Sequence, residues 1–168
     1  AASGFIDLTR NSPFTPEHAE AMRVALRRLA DSPAIEALLG YMPSGGSERH
    51  RQLGADFMAL AGFKADPERI IVTAGTQQAL AAALAATATP GAPVLTEAIT
   101  YGGLKNAARM LRLAVHPVEM DAEGMLPGAL DEAARETGAR VVAVVPMIQN
   151  PTAATMSAKR RGDIAAVA

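Results

Sequence analysis

The chain has 168 residues, a net charge of −1 from 16 Lys and Arg against 17 Asp and Glu, and no cysteine. That length suits one domain-sized core, burying roughly 70% of the extended chain's surface, and the balanced charge leaves no electrostatic footprint for nucleic acid or an anionic membrane. The missing cysteines exclude disulfides, thiolate metal sites and a cysteine nucleophile. Hydrophobic residues make up 49% of the chain but aromatics only 4%, so helices are expected to pack closely on alanine rather than on large anchors. No apolar run approaches the roughly 18 residues that span a bilayer. The opening Ala1-Ala2-Ser3-Gly4 has neither initiator methionine nor a signal-peptide pattern, and a cytoplasmic location is expected.

In chain order, Thr15-Pro16 marks a helix entry, a hydroxyl N-cap followed by proline at the first helical position. Met22, Leu26 and Leu29 follow at helical spacing, Ser32-Pro33 ends that helix, and a shorter one runs through Leu38 and Leu39. "GYMPSGGSE" is a loop, with Ser47 placed to cap a helix carrying Leu53, Phe57 and Leu60. From there strands and helices alternate. Ile70-Ile71-Val72 is a predicted strand before a helix from Thr76 to about Ala88, and Pro93-Val94-Leu95 a strand before a helix with Leu104, Ala108 and Leu111. Val115–Val118 and Val141–Val145 are further predicted strands, with a helix around Leu130–Thr137 between them and another opening at Ser157. Alternation with continuously apolar strands predicts an α/β fold, a mostly parallel sheet covered by helices. Residues 1–46 are expected to form a helical and loop-like N-terminal segment, and 47–168 the α/β region. The last helix pattern runs into Ala168 without a cap, so the chain is expected to be a piece of a longer protein.

Three stretches could carry chemistry. "IVTAGTQQAL" turns from strand to helix around Gly75, where the backbone can approach a ligand and the helix N-terminus suits a phosphate. It is neither a Walker loop nor the dinucleotide fingerprint, and the same residues would also make a plain capped turn. "TEAITYGG" places Tyr101 after a strand, as a stacking platform for a flat heteroaromatic ring or as a cover for a helix end. "PMIQNPTAATMS" offers the Asn150 amide at a turn whose Asn150-Pro151 bond could be cis, or simply a turn into the Ser157 helix. All three are expected at the C-terminal edge of one sheet. A phosphate cup, an aromatic plate and an amide donor suit a phosphorylated aromatic cofactor such as pyridoxal 5'-phosphate. His18, His50 and His116 have no partner at metal-ligand spacing, the Lys159-Arg160-Arg161 cluster is expected on a solvated helix face, and no metal site is expected.

"VTAGTQQAL", "VLTEAITYGGLK" and "QNPTAATMSAKRR", with "LLGYMPSGGSERHR" and "IDLTRNSPF", resemble the aminotransferase-like domain of MocR-type regulators in the GntR family. The similarity covers nearly all of the chain. It implies the type I fold of pyridoxal 5'-phosphate-dependent aminotransferases, here the N-terminal portion of the large domain. It implies further that Gly75, Thr76 and Gln77 hold the cofactor phosphate, Tyr101 stacks on the pyridine ring and Asn150 binds its phenolic oxygen. Tyr41 is similar to a loop tyrosine that reaches a partner's phosphate across a homodimer, and Asn11 lies in a segment lining the substrate side.

Two positions depart from the family pattern: Ala153 stands where glycine often follows Asn-Pro-Thr, and Pro90-Gly91-Ala92 replaces a Pro-Gly-Asp turn. Alanine at 153 is expected to suit a somewhat different turn. The family's Schiff-base lysine and its aspartate on the pyridine nitrogen lie downstream of the matched region, and Lys64, Lys105 and Lys159 match neither. No catalytic residue is therefore assigned, and these residues alone are expected to bind pyridoxal 5'-phosphate weakly or not at all and not to transaminate. The resemblance implies a parent that binds the cofactor, senses an amino compound and contacts DNA only through a winged helix-turn-helix outside this sequence. The alternatives are part of a freestanding aminotransferase acting on an amino acid, and a non-catalytic module for phosphate-bearing ligands or dimerisation.

Overall fold

The computed structural model describes residues 14–168, which fall into two units divided between Ile71 and Val72. The first is helical. Helix α1 (Pro16–Ala30) begins at Thr15, whose backbone N–H donates to His18 Nδ1 at 3.1 Å, so His18 closes the first turn. None of the α1 side chains is buried, and Met22, Leu26 and Leu29 are all exposed. A short α2 (Ile35–Leu38) follows. Helix α3 (Glu48–Leu60) is capped as expected, Ser47 Oγ accepting from the His50 N–H at 3.2 Å. Arg51 ties this unit together, donating to the Gly46 carbonyl at 3.0 Å and pairing with Glu68 at 2.9 Å in the 3₁₀ turn Pro67–Arg69. The division expected at residues 46 and 47 falls inside this unit.

The predicted strand Ile70–Val72 does not form. Ile70 has extended backbone angles, φ −101° and ψ 131°, but no described residue pairs with the segment. A β-branched run supplies the conformation; only a neighbouring strand supplies the ladder.

The second unit is built on a parallel sheet of three strands. Strand β1 (Pro93–Glu97) lies between β2 (Ala114–Val118) and β5 (Val141–Ala143), with Val94 opposite both Val115 and Val141. Successive side chains of a strand face opposite ways, and β1 uses both faces. On one, Val94 packs with Leu84 of α4 (Thr76–Thr87) and with Leu104, Ala107 and Ala108 of α5 (Gly102–Met110). On the other, Leu95 packs with Leu130 of α6 (Pro127–Thr137) and Ile164 of α7 (Ala158–Val167). The doubly covered parallel sheet is the expected α/β architecture.

A hairpin of two-residue strands, β3 (Met120–Asp121) and β4 (Gly124–Met125), follows β2 and is absent from the sequence reading. Asp121 Oδ1 accepts from the N–H groups of Glu123 and Gly124 at 2.8 and 3.1 Å, closing the turn. Arg160 of α7 reaches this hairpin. It pairs with Asp121 at 2.8 Å and Glu123 at 3.3 Å and donates to the Met125 carbonyl at 3.0 Å. Its side chain is only 14% exposed, so the expected solvated basic face holds for Lys159 but not for Arg160. The guanidinium earns its burial by filling several acceptors at once. Among the described residues no helix is long and apolar enough to cross a membrane.

Candidate functional site

The site is built where α4 and α5 begin. Gly75 is the N-cap of α4, at φ 97° and ψ 168°, a region of backbone space that glycine enters without a steric penalty. Around it the turn is held by Thr73 Oγ1 donating to the Gly75 carbonyl at 3.2 Å and by the Ala74 N–H donating to Gln78 Oε1 at 2.6 Å. The first N–H bonded within the helix is that of Ala79, to the Gly75 carbonyl at 3.2 Å. The N–H groups of Thr76, Gln77 and Gln78 therefore precede the helical ladder and face outward with the positive end of the helix dipole. Space around Gly75 is open, and Thr76 and Gln77 are exposed.

Tyr101 is the N-cap of α5 and is half-buried. Its hydroxyl receives a hydrogen bond from Gln77 Nε2 at 3.1 Å, which joins the anion-suited turn to the aromatic plate. Gly103, one of the residues that sequence reasoning missed, makes this approach possible. A Cβ there would run into both the Gln77 amide and the Tyr101 ring. The "YGG" pattern was the available signal, a pair of glycines where a helix starts.

Asn150 lies in the segment after β5, half-buried, and the Asn150-Pro151 bond is cis. Its side chain makes no hydrogen bond among the described residues, while its neighbour Gln149 is buried and fully engaged. Gln149 Nε2 donates to the Ile99 carbonyl at 2.6 Å, and its Oε1 accepts from the Thr152 N–H and hydroxyl at 2.9 and 2.6 Å. Glu97, at the end of β1, is buried as well. Its Oε1 accepts from the Val145 N–H at 2.7 Å and its Oε2 from the Thr100 hydroxyl at 3.0 Å. Neither Glu97 nor Gln149 stood out in the sequence, because a polar residue closing a strand, as Glu97 does, looks like the start of a loop, and Gln149 lies within the loop after β5. Ala153 has φ 60°, so it occupies the left-handed region that glycine favours instead of avoiding it through a different turn.

Two of the three predicted stretches thus follow paired strands, β1 and β5, at the C-terminal edge of the sheet. The third follows the unpaired Ile70–Val72 segment and is placed through the N-terminus of α4 instead. Gly75, Thr76, Gln77 and Tyr101 come together, and hydrogen bonds join the loops that carry Tyr101 and Asn150. Tyr41 belongs to the first unit and is fully exposed, and Asn11 lies outside the described residues. The fit to a phosphorylated pyridine is direct: open space at a glycine N-cap, N–H groups that make no bond among the described residues and suit an anion, and a tyrosine ring one hydrogen bond away.

Comparison with known proteins agrees with this chemistry. Residues 3–168 match the family model for class I and II aminotransferases. An uncharacterized HTH-type transcriptional regulator of Bacillus subtilis is 27% identical over 152 residues, 89% of this chain and 33% of the regulator. The crystal structure of an archaeal alanine:glyoxylate aminotransferase superposes with a TM-score of 0.78 at 27% identity, covering 90% of this chain and 39% of that one. The α-aminoadipate aminotransferase LysN of Thermus thermophilus, solved with N-(5'-phosphopyridoxyl)-L-leucine, superposes with a TM-score of 0.73 at 30% identity, covering 88% of this chain and 37% of that one. The chain spans a third or less of the length of the curated relatives it matches.

Proposed function

The chain belongs to the class I and II aminotransferase family, and on that premise we propose that it supplies the phosphate and ring contacts of a pyridoxal 5'-phosphate site in a MocR-type regulator. Residues 1–46 are the leading segment of that effector domain and 47–168 the first part of its large α/β domain. The N–H groups of Thr76 and Gln77 donate to the phosphate, and Gly75 lets the backbone approach it. Tyr101 stacks on the pyridine ring, held in place by Gln77, and the Asn150 amide donates to the phenolic oxygen. Tyr41 serves the phosphate of a second copy in a homodimer. When bound, the cofactor supplies an aldehyde for a primary amine and an electron-accepting ring. The residues of this chain bind and orient it. In the parent, an amino compound entering the site changes the state of a DNA-binding dimer.

The observation that carries this reading is the 3.1 Å contact between Gln77 and Tyr101, which puts an anion site and an aromatic plate side by side. Titration of the full-length protein with pyridoxal 5'-phosphate tests it. Saturable binding that weakens in Gln77→Ala and Tyr101→Ala is expected; binding indifferent to both substitutions would refute it. The likeness to LysN favours a second reading, a freestanding aminotransferase. Sequence-specific DNA binding by the full-length protein supports the regulator, and its absence together with amino-acid-dependent turnover supports the enzyme.

A further inference from the structure

The two loops that bear the ring contacts are tied to each other by buried polar groups that the site assignment does not use. Thr100 directly precedes Tyr101, and Gln149 directly precedes Asn150. Glu97 is 1% exposed and holds one donor from each side, the Thr100 hydroxyl at 3.0 Å and the Val145 N–H at 2.7 Å. Gln149, 2% exposed, completes the tie through the Ile99 carbonyl at 2.6 Å. The neighbouring position on the same face of β1 is Leu95, so packing alone would be served by an apolar side chain. A forked polar side chain is called for where polar groups from two separate loops must be satisfied at once in a buried place.

We propose that Glu97, assisted by Gln149, is a positioning residue that sets the separation of Tyr101 and Asn150. It fixes the stacking plate and the amide donor before the ligand arrives. This inference rests on the assignment of Tyr101 and Asn150 to the cofactor site given above.

The test compares full-length wild type with Glu97→Leu and Glu97→Gln. Leucine removes both acceptors. Glutamine retains a carbonyl for the Val145 N–H and an amide that donates to Thr100 Oγ1, so it should rescue. Amide hydrogen exchange in the cofactor-free protein reads the tie itself, over residues 98–101 and 144–152. Affinity for pyridoxal 5'-phosphate and the circular dichroism band of the bound cofactor read its consequence. In Glu97→Leu, exchange should accelerate in both segments, affinity fall by about tenfold or more as misplaced groups lose alignment, and the dichroic band change. Glu97→Gln should stay near wild type in all three.

A purely structural role would lower thermal stability while leaving affinity and the dichroic band unchanged, and that result overturns the proposal. If Glu97→Leu does not fold, Thr100→Val removes one arm only. Faster exchange over 98–101 with weaker cofactor binding then supports the proposal, and unchanged exchange and binding refute it. Wild-type protein that fails to bind pyridoxal 5'-phosphate would sink the site assignment and this role of Glu97 with it. Normal wild-type binding beside an unaltered Glu97→Leu would sink only the latter.

Discussion

Gln77 and Tyr101 meet through a single hydrogen bond of 3.1 Å that joins the first turn of α4 to the N-cap of α5. The contact is possible because Gly103 has no side chain where the two groups converge. Residues 24 positions apart in sequence thereby form one surface, an exposed helix N-terminus flanked by a half-buried aromatic ring.

Gly103→Ala tests that convergence. The flexible Gln77 amide can move aside, but the Tyr101 ring must be displaced. Overpacking of about 1–3 kcal/mol should outweigh the gain of at most ~1 kcal/mol that alanine brings to a helix. A lower melting temperature together with weaker binding of pyridoxal 5'-phosphate is the expected outcome, read by thermal unfolding and titration.

At Tyr101, ring and hydroxyl have separable roles. Tyr101→Phe keeps the plate and loses the bond to Gln77, a change of about 0.5–1.5 kcal/mol, so cofactor affinity should fall less than about tenfold. Tyr101→Ala removes the stacking surface and should cost clearly more. Equal losses in the two variants, measured by fluorescence titration, would show that the hydroxyl and not the ring makes the contact.

The attachment of α7 to the β3–β4 hairpin should be sensitive to acid. The Arg160 guanidinium beside Asp121, aided by the Glu123 N–H, holds the Asp121 carboxyl at about 2, below its ordinary 3.8. Because the folded value is the lower one, the ionised carboxylate stabilises the fold at every pH above about 4, and that contribution disappears as pH falls from about 4 to about 2. Urea unfolding across this range should show a steeper loss in wild type than in Asp121→Asn, which is weaker near neutral pH and has less left to lose.

Ala153 sits at φ 60°, where a Cβ is unfavourable. Ala153→Gly should stabilise the protein by about 0.5–1 kcal/mol, the steric relief of 1–2 kcal/mol reduced by the greater chain entropy of glycine. A shifted urea midpoint with an unchanged slope is the signature to look for.

Much of the second unit was legible because its strands and helices carry strong local signals. Val94 and Leu95 are apolar on both faces, as a covered parallel strand requires, and Ser47 and Ser157 cap their helices where the pattern places them. Ile70–Val72 was misread for a physical reason: β-branched residues report backbone preference, while strand formation depends on a partner elsewhere in the chain. The β3–β4 hairpin has only two residues per strand, too few for a period to show. At the site, Gly75, Thr76, Gln77 and Tyr101 were visible as residue types in suggestive positions. The parts that bring them together, Gly103, Glu97 and Gln149, were not, since their importance lies in contacts made across the fold. Arg160 was hidden in the same way, by a charge run that resembles an ordinary solvated face.

The central claim is that the N-terminus of α4 holds a phosphate while Tyr101 covers the attached ring. A crystal structure of the full-length protein with pyridoxal 5'-phosphate tests it most directly. The account predicts phosphate oxygens at about 2.7–3.2 Å from the Thr76 and Gln77 backbone nitrogens, the pyridine ring stacked on Tyr101, and the Asn150 amide on the phenolic oxygen. A cofactor bound elsewhere, or a phosphate held without either backbone N–H, would contradict it.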